Sequence, residues 1–346
     1  MIKIAFFDTK PYDVPQFKKY GEEKGIKFKF LEPKLNEDTV ELASGYDGVC
    51  VFVNDTVNAA VIDSLVAMGV KIIALRCAGY NNVDLVYAED KLTVVHVPAY
   101  SPHTVAEHAM AMLLTSVRRI HKAYIRTRDF NFSLSGMTGF ELHGKTVGVI
   151  GTGRIGRAFI DICRGFGMKI MAYDKFPAQG TDIEYYELDR IFAESDIISF
   201  HCPLTSETHH MLNADTVGKL KKGVVIINTS RGALIDTDAL LDGIRSRKIG
   251  AVCLDVYEEE SDIFFEDNSG HILDDEKLAR LLFMPNVIVT SHQAFLTEEA
   301  LDSIAQVTVD NIVAYLETGE CRNELVCKKL RASSKSCSCC EKKTLG

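Results

Sequence analysis

A glycine-rich segment near the middle of the chain has the residue types and spacing of a dinucleotide-binding turn. The apolar run 146–150 leads directly into the sequence G-T-G-R-I-G, from Gly151 to Gly156, and an apolar helix-like segment follows. In this pattern Gly151 permits a tight turn, Gly153 lets a pyrophosphate approach the backbone, and Gly156 lets helix and strand pack closely. The segment therefore predicts a phosphate-binding helix N-terminus.

An acidic residue after the next strand indicates which dinucleotide binds. The apolar run 169–173 ends in Asp174, close to the spacing of about 20 residues at which an acid meets the adenine ribose hydroxyls. A carboxylate there repels the 2′-phosphate of NADP, so NAD is the predicted cofactor, and the neighbouring Lys175 weakens that preference. The alternative is a glycine-rich turn that binds nothing, and the combined strand, helix and acid disfavour it.

Polar clusters follow four further apolar runs. They are His201-Cys202-Pro203, Thr229-Ser230-Arg231, Asp255 with Glu260 five residues on, and Ser291-His292. Ligands of a doubly wound sheet bind outside the carboxyl ends of its strands, so these clusters should face the crevice that holds the nicotinamide. Arg231, Glu260 and His292 are then expected to be neighbours.

These three side chains suit the reduction of a carbonyl group. The planar fork of Arg231 can grip a substrate carboxylate through two hydrogen bonds, which a lysine could not do as well. His292 can give and take a proton near neutral pH, and Glu260 would hydrogen-bond the other ring nitrogen and fix the tautomer. Each residue alone could be a surface or structural residue, but their placement at successive strand ends favours the functional interpretation, which needs no metal.

The remaining histidines are interpreted as structural or surface residues, and one cysteine is interpreted as structural. His103, His108, His209 and His210 have no cysteine or carboxylate nearby at the spacing of a zinc site. Cys202 could be a nucleophile, but no base is identifiable, and a place in the wall of the adenine pocket is the preferred interpretation.

The elements that position these residues form two α/β series. Between residues 2 and 100, short β-rich runs alternate with helix-like segments, which is typical of a parallel sheet. One long helix is predicted from His103 to about Thr127, a second series of strands from Thr146 to about His292, and a final helix over 297–316 with Thr297 as N-cap. The fold class is therefore α/β, with two doubly wound parallel-sheet domains.

Length and composition make a globular protein of two domains the first expectation, and a single domain stays possible. The chain has 346 residues, of which 47% are hydrophobic and 25% charged, and a net charge of −9 argues against nucleic acid or an anionic membrane surface as partner. No apolar run approaches the roughly 18 residues that span a bilayer. Early charges at Lys3 and Asp8 disfavour a secretory signal, and single cysteines within apolar runs indicate a reducing compartment. We expect a cytoplasmic protein.

Five further segments carry a resemblance to a known family. They are 76–84 (RCAGYNNVD), 97–102 (VPAYSP), 228–232 (NTSRG), 255–258 (DVYE) and 292–295 (HQAF). With them the chain resembles the D-isomer-specific 2-hydroxyacid dehydrogenases over residues 1 to about 327, and within that family it is most similar to the fermentative, NAD-dependent D-lactate group of bacteria.

The resemblance implies an activity and a set of site residues. His292 would protonate the carbonyl oxygen of pyruvate while NADH delivers hydride to the carbonyl carbon, with Glu260 supporting His292 and Arg231 holding the carboxylate. From the glycine motif and the resemblance together, the residues expected at the NAD site are Gly151, Gly153, Arg154, Ile155, Gly156, Asp174, Cys202, Pro203, Thr208, Thr229, Ser230, Arg231 and Asp255. Those expected to contact substrate are Ala78, Gly79, Tyr100, Arg231, His292 and Phe295.

The resemblance also implies a domain arrangement and an assembly. A Rossmann NAD domain, 100–299, would be inserted into a flavodoxin-like substrate domain formed by 1–99 and 300–327, and the two would close over the substrate. The long helix from His103 contributes to a dimer contact in this family, so a homodimer or homotetramer is implied. Residues 328–346 depart from the family pattern and are expected to be a disordered tail rich in Lys and Cys, with a redox, metal or lipidation role as the alternative.

Two other activities stay open. A sibling enzyme for a bulkier or phosphorylated 2-oxo acid would use the same residues, although the acidic and aromatic insertion 262–275 favours the lactate group. A protein that senses NAD(H) and binds other proteins, as co-repressors on this scaffold do, is the less favoured alternative.

Overall fold

Two parallel sheets organise the chain, one in each of two units. The structure, a computed structural model, describes residues 1–260 and 263–325. Within the described residues, the first unit comprises Met1–Ser101 and 296–325, and the second unit lies between Pro102 and Phe295. In the described part of the chain, no helix combines the length and the apolar character needed to cross a membrane.

The first unit contains a five-stranded sheet in the order β2-β1-β3-β4-β5, which is the doubly wound order of flavodoxin. The strands are β1 (Ile2–Phe6), β2 (Ile26–Phe30), β3 (Gly48–Val51), β4 (Ile72–Leu75) and β5 (Thr93–Val95). The helices are α1 (Val14–Lys24), α2 (Ala59–Ala67), α3 (Leu85–Ala88) and, from the end of the chain, α11 (Glu298–Thr318), with a 3₁₀ turn at Val40–Ala43. Strands β3 and β4 are fully buried, as expected for parallel strands covered on both faces.

The last helix begins where the sequence places it. The side chain of Thr297 accepts a hydrogen bond from the amide of Ala300, so the predicted N-cap is confirmed. The helix ends at Gly319, whose φ of 77° is the left-handed conformation that glycine adopts without strain. Helix α11 packs against α1 and β4 of the first unit.

The second unit contains a six-stranded parallel sheet in the order β7-β6-β8-β9-β10-β11. Its strands are β6 (Thr146–Ile150), β7 (Lys169–Tyr173), β8 (Ile197–Phe200), β9 (Val224–Asn228), β10 (Ile249–Leu254) and β11 (Val287–Val289). Tyr185 adds an isolated parallel bridge to Ala172 beyond β7, so the sheet follows the 3-2-1-4-5-6 order of a Rossmann domain with β11 as a seventh position at the other edge. The predicted fold class is thereby confirmed.

Helices cover both faces of this second sheet. They are α4 (Pro102–Arg118), α5 (Ile120–Arg128), α6 (Arg154–Gly165), α7 (Leu188–Glu194), α8 (Ala214–Lys219), α9 (Thr237–Arg245) and α10 (Glu276–Phe283), with a 3₁₀ turn at Gly232–Leu234. Because successive side chains of a strand point to opposite faces, Ile197 packs in the core under α4 and α6, and Ile198 packs in the core under α7 and α9.

The prediction of one continuous helix from His103 to Thr127 is wrong at Arg119. This residue has a left-handed backbone, with φ of 54°, and it separates α4 from α5. The chain that returns from α5 packs against the end of α4, where a Cβ on Gly139 would lie 2.0 Å from the carbonyl oxygen of Val117. The guanidinium of Arg119 also donates to the carbonyl of Gly136 at 2.7 Å. Tertiary contacts of the chain segment after α5 therefore favour a break in the helix at Arg119, which the helical spacing of apolar residues does not reveal.

Candidate active site

The turn between β6 and α6 requires glycine at two positions and leaves open space at a third. Gly151 has φ of 94°, and a Cβ there would lie 2.6 Å from the backbone of His201 and Cys202. A Cβ on Gly156 would lie 2.0 Å from the carbonyl oxygen of Gly151, whereas one on Gly153 would meet no atom within 4 Å. The open space lies at the N-cap of α6, where backbone amides attract anions. The turn thus fits the phosphates of a dinucleotide.

Asp174 is held in place beside this turn. Its Oδ2 accepts hydrogen bonds from the amide of Thr152 at 2.6 Å and from the hydroxyl of Thr152 at 3.0 Å. That hydroxyl also lies 2.9 Å from the phenol oxygen of Tyr185. A carboxylate oriented in this way at the end of β7 suits the adenine ribose of NAD. Lys175, next in sequence, forms an ion pair with Glu207.

Other residues predicted for the cofactor site lie in the turns after β8 and β9. The hydroxyl of Thr229 is buried and has no hydrogen-bond partner within the described residues, so it is available to a ligand. Ser230 donates to the carbonyl of Phe200 at 2.8 Å, and Thr208 donates to the carbonyl of Pro203 at 2.7 Å. Burial raises the pKa of the Cys202 thiol to about 12, which disfavours a thiolate nucleophile there.

A hydrogen bond joins His292 to Glu260 at the carboxyl edge of the sheet. The Nδ1 atom of His292 lies 2.8 Å from Oε1 of Glu260, and each side chain is 21% exposed. The other carboxylate oxygen, Oε2, accepts the amide of Tyr257 at 2.9 Å. Since Nδ1 is engaged, Nε2 is the ring nitrogen that can exchange a proton with a substrate. The aromatic ring of Phe265 lies beside the imidazole, with a centroid separation of 5.8 Å.

The backbone of His292 is in the left-handed region, with φ of 51°. Its amide donates to the carbonyl of Asp255 at 2.7 Å, which helps to hold this conformation. A strained backbone at a residue other than glycine is concentrated at functional sites, where the surrounding fold maintains it.

The buried carboxylate of Asp255 holds the segment that carries His292. Its Oδ1 accepts the hydroxyl of Thr290 at 2.6 Å and the amide of Gln293 at 2.9 Å, and its Oδ2 accepts the amide of Ala294 at 2.9 Å. Burial alone would raise the pKa of Asp255, but hydrogen bonds from His108, Thr290 and Ala294 outweigh it and lower the pKa. The group therefore stays ionised and fixes the chain on both sides of His292.

Arg231 is positioned by the side chain at the end of β9. The amide group of Asn228 donates to the carbonyl of Arg231 at 2.8 Å, and its oxygen accepts the amide of Ser230 at 3.0 Å. A Cβ on the next residue, Gly232, would lie 2.0 Å from the carbonyl carbon and oxygen of Tyr257. The turn that bears Arg231 is therefore packed, backbone against backbone, on the segment that leads to Glu260.

Sheet register explains why these groups share one edge. Asn228 pairs with Leu254 in β10, and Leu254 pairs with Val289 in β11. Arg231, Glu260 and His292 follow these three paired positions, so all three leave the sheet at its carboxyl edge. The arrangement offers an anion-binding guanidinium and a histidine with a defined tautomer, which are the groups that reversible reduction of a 2-oxo acid requires.

Comparison with known proteins places this site in a family. Residues 110–294 match the family model described as "D-isomer specific 2-hydroxyacid dehydrogenase, NAD binding domain". The D-lactate dehydrogenase of Escherichia coli is 50% identical over 330 residues, which cover 94% of this chain and all of that protein. This chain belongs to the D-isomer-specific 2-hydroxyacid dehydrogenase family. It has the NAD-binding domain of that family and is an oxidoreductase, as the sequence predicts.

Solved structures agree with this family assignment. The apo structure of the Escherichia coli D-lactate dehydrogenase has a TM-score of 0.86 to this chain at 48% identity, over 94% of this chain and all of that one. A D-lactate dehydrogenase from Aquifex aeolicus, solved with NAD and lactic acid, has a TM-score of 0.79 at 34% identity, over 91% and 95% of the two chains. An aromatic 2-oxoacid reductase from Clostridium sporogenes is 40% identical over 94% of this chain and all of that protein.

Sequence reasoning did not find several residues that support this 2-hydroxyacid dehydrogenase site. His108 is not a mere surface residue, because its Nε2 lies 3.2 Å from the hydroxyl of Thr290 and 3.3 Å from Oδ1 of Asp255. Thr152 and Tyr185 organise Asp174 in the same way on the cofactor side. Each lies in a different segment of the chain from the group it supports, so no local pattern signals the contact.

The statement that His209 and His210 have no carboxylate nearby holds along the sequence but is wrong in space. Glu258, which lies on the segment after β10, has its Oε1 at 2.5 Å from Nε2 of His210. Parallel topology brings the turn after β8 and the segment after β10 to one edge of the sheet.

The remaining predicted residues are divided between the two units and the part of the chain that the structure does not describe. Ala78, Gly79 and Tyr100 lie in the first unit, where His96 Nδ1 lies 3.1 Å from the carbonyl oxygen of Ala78. Phe295, by contrast, is buried at the end of the second unit. Asp262, the first residue of the predicted insertion 262–275, and the predicted tail 328–346 lie outside the described residues.

Proposed function

We propose that this chain is an NAD-dependent D-lactate dehydrogenase that reduces pyruvate to D-lactate and catalyses the reverse reaction. The observation that carries the proposal is the 2.8 Å contact between Nδ1 of His292 and Glu260 at the edge where Arg231 also lies. NADH supplies the hydride when bound at the glycine-rich turn. His292 donates a proton from Nε2 to the carbonyl oxygen, Glu260 stabilises the protonated ring, and Arg231 binds the substrate carboxylate.

The remaining site residues are assigned within the same proposal. In the second unit, the NAD site comprises Gly151, Gly153, Arg154, Ile155, Gly156, Asp174, Cys202, Pro203, Thr208, Thr229, Ser230, Arg231 and Asp255. Open space at Gly153 and the unpartnered hydroxyl of Thr229 support it. Ala78, Gly79, Tyr100 and Phe295 are proposed to contact the substrate. In this scheme the NAD domain, 100–299, is inserted into a substrate domain made of 1–99 and 300–327.

The test is NADH oxidation by the purified protein with a panel of 2-oxo acids, followed by an enantiomer-specific assay of the product. We expect pyruvate to be turned over rapidly and D-lactate to be formed. His292→Gln should lose most turnover and still bind NADH, whereas His103→Ala, which changes an exposed histidine, should remain fully active. Undiminished turnover by His292→Gln would remove His292 from the mechanism.

A second substrate class has support from one relative. The similarity to an aromatic 2-oxoacid reductase shows that larger substrates occur within the family. The ring of Phe265 beside His292 reduces the room for a bulky side chain and favours pyruvate. If only larger 2-oxo acids are turned over, the chain is a dehydrogenase for bulkier 2-oxo acids. If NADH binds and no 2-oxo acid is turned over, the NAD(H)-sensing alternative is favoured.

We also propose that the chain forms a homodimer or homotetramer. Helix α5 exposes Ile120, Tyr124 and Ile125 by 55% to 60%, and the following loop exposes Phe130 and Leu134 by 84% each. Several large apolar side chains exposed within one short segment are a feature of protein interfaces. Sedimentation velocity of the wild-type chain and of a Tyr124→Glu variant tests the proposal, because the charged variant should dissociate. A wild-type monomer would refute it.

We propose that the protein is located in the cytoplasm. All six cysteines of the described residues are thiols, and five of them are buried, as in proteins of reducing compartments. Fractionation of cells that produce the protein should recover the activity with cytoplasmic markers.

A further inference from the structure

Three side chains that take no part in the proposed reaction lie together at the carboxyl edge of the second sheet. His209 and His210 belong to the turn after β8, and Glu258 belongs to the segment after β10. One ligand atom from each residue lies within 4.8 Å of those from the other two. The side chains of His210 and Glu258 are 32% and 21% exposed, and His209 is exposed, so an ion from solvent can reach all three.

The backbone of His210 places the two imidazoles side by side. Neighbouring residues in an extended chain point their side chains apart, but His210 has a left-handed backbone with φ of 49°. The two rings consequently stack, with centroids 3.9 Å apart and planes 27° from parallel. The amide of His210 donates to the carbonyl of Ala233 at 2.9 Å, and Leu212 donates to Leu234 at 3.1 Å. Main-chain hydrogen bonds on both sides therefore maintain this conformation.

Glu258 is oriented toward the two rings by a partner of its own. Its Oε2 accepts the hydroxyl of Thr237 at 2.8 Å and the amide of Thr237 at 3.3 Å. Its Oε1 lies 2.5 Å from Nε2 of His210. Outer contacts that orient a ligating group are a regular feature of metal sites.

We propose that His209, His210 and Glu258 bind a divalent transition-metal ion of the zinc class, with water as the fourth ligand. Two imidazoles and one carboxylate are a common ligand set for zinc, whereas magnesium and calcium prefer oxygen ligands. Ligand atoms on a tetrahedral zinc lie about 3.3 Å apart. The ligand atoms of His209, His210 and Glu258 lie within 4.8 Å of one another, so their separations must change by about 1.5 Å or less to bind zinc. The exposed side chain of His209 can make most of that adjustment. This site does not depend on the proposed reaction.

Calorimetric titration of the full-length protein with ZnCl₂ tests the site. The clustered cysteines 337, 339 and 340 can also bind zinc, but they are common to all variants and cancel in a comparison. His209→Ala removes one ligand from an exposed position, and Glu258→Gln removes the charged ligand while it keeps the shape of the side chain. His103→Ala is the matched control, since it removes an exposed histidine elsewhere.

We expect wild type and His103→Ala to bind one equivalent of Zn²⁺ at this site. His209→Ala and Glu258→Gln should bind that equivalent about 100-fold more weakly or not at all. Titration with Co²⁺ gives a second readout, because a His and carboxylate site yields visible d–d bands without the thiolate charge-transfer band of cysteine ligation. Equal stoichiometry and affinity in all four proteins would overturn the proposal. A cobalt spectrum with thiolate bands alone would do the same.

Discussion

Replacing Gly232 by alanine tests whether backbone packing between two turns sets the geometry of the active site. The added Cβ would lie 2.0 Å from the carbonyl carbon and oxygen of Tyr257 and 2.4 Å from the amide nitrogen of Glu258. These are main-chain atoms, so no flexible side chain can move aside. Ordinary contact begins near 3.4 Å, and one of the two segments must therefore shift by about 1.4 Å.

The size of the effect follows from that displacement. Overpacking of this kind costs about 1–3 kcal/mol of folding free energy, which is small enough for the domain to remain folded. The shift separates Arg231, next to the substitution, from Glu260, which follows the displaced segment and binds His292. A misplacement of about 1 Å costs on the order of 100-fold in rate, so kcat/KM for pyruvate should fall by roughly that factor.

Steady-state oxidation of NADH measures this loss, and thermal unfolding measures the change in stability. Gly218→Ala is the matched control, because a Cβ there meets no atom within 4 Å and the residue lies within helix α8. The control should retain full activity and gain slightly in stability. NADH affinity of Gly232→Ala should change less than turnover. If Gly232→Ala keeps the kcat/KM of the unmodified chain, the inference that this contact aligns Arg231 with Glu260 is refuted.

Three further predictions concern groups around the site. Asp174→Ala removes the carboxylate expected at the ribose, so the ratio of kcat/KM with NADPH to that with NADH should rise, and an unchanged ratio would contradict the role. Asp255→Asn leaves one neutral amide oxygen where two charged oxygens accept from Thr290, Gln293 and Ala294, in hydrogen bonds of a type that contributes about 1.5–3 kcal/mol each, so turnover should fall more than NADH affinity, as stopped-flow binding can show. Burial lowers the pKa of His201 to about 3, so the unfolded chain takes up a proton that the native chain does not. Stability should therefore fall as the pH drops from about 6.5 toward 3, by at most about 1.4 kcal/mol per pH unit, and urea unfolding of His201→Gln should show a shallower fall.

Local features of the site could be predicted from the sequence because they depend on short stretches of chain. The turn from Gly151 to Gly156 and the acid Asp174 follow from residue types at fixed spacing, and the structure shows the corresponding close approaches and hydrogen bonds. Arg231 and His292 follow from one topological rule, that ligands bind at the carboxyl ends of parallel strands. Such a rule transfers between proteins because it needs only the positions of strand ends.

Contacts between distant elements could not be predicted in this way. His108 lies in α4, and nothing in its helical spacing indicates that it faces Asp255 at 3.3 Å. The break at Arg119 depends on how a later loop packs, and Glu258 reaches His210 only after the sheet has formed. These contacts depend on side-chain directions that are fixed by tertiary packing, which periodicity does not encode.

The segment 255–260 connects these distant elements. Through its backbone and its side chains it contacts the turn that bears Arg231 at Gly232, and it contacts His292 at two points, the carbonyl of Asp255 and the carboxylate of Glu260. The same segment carries Glu258. A ligand that draws Glu258 toward His209 should therefore disturb the support of His292, because only one residue separates Glu258 from Glu260.

Zinc should accordingly act as a reversible inhibitor of pyruvate reduction. The hydrogen bond between the amide of Tyr257 and Oε2 of Glu260, 2.9 Å long, spans Glu258 and would be strained by the shift of about 1.5 Å or less that metal binding requires. Initial rates measured with increasing ZnCl₂, and again after addition of a chelator, should show inhibition of wild type that is relieved by the chelator. His209→Ala should resist inhibition and retain its basal rate, because the proposed reaction does not use the side chain of His209. Inhibition of equal depth in both proteins would show that zinc acts elsewhere, and the coupling through Glu258 would be wrong.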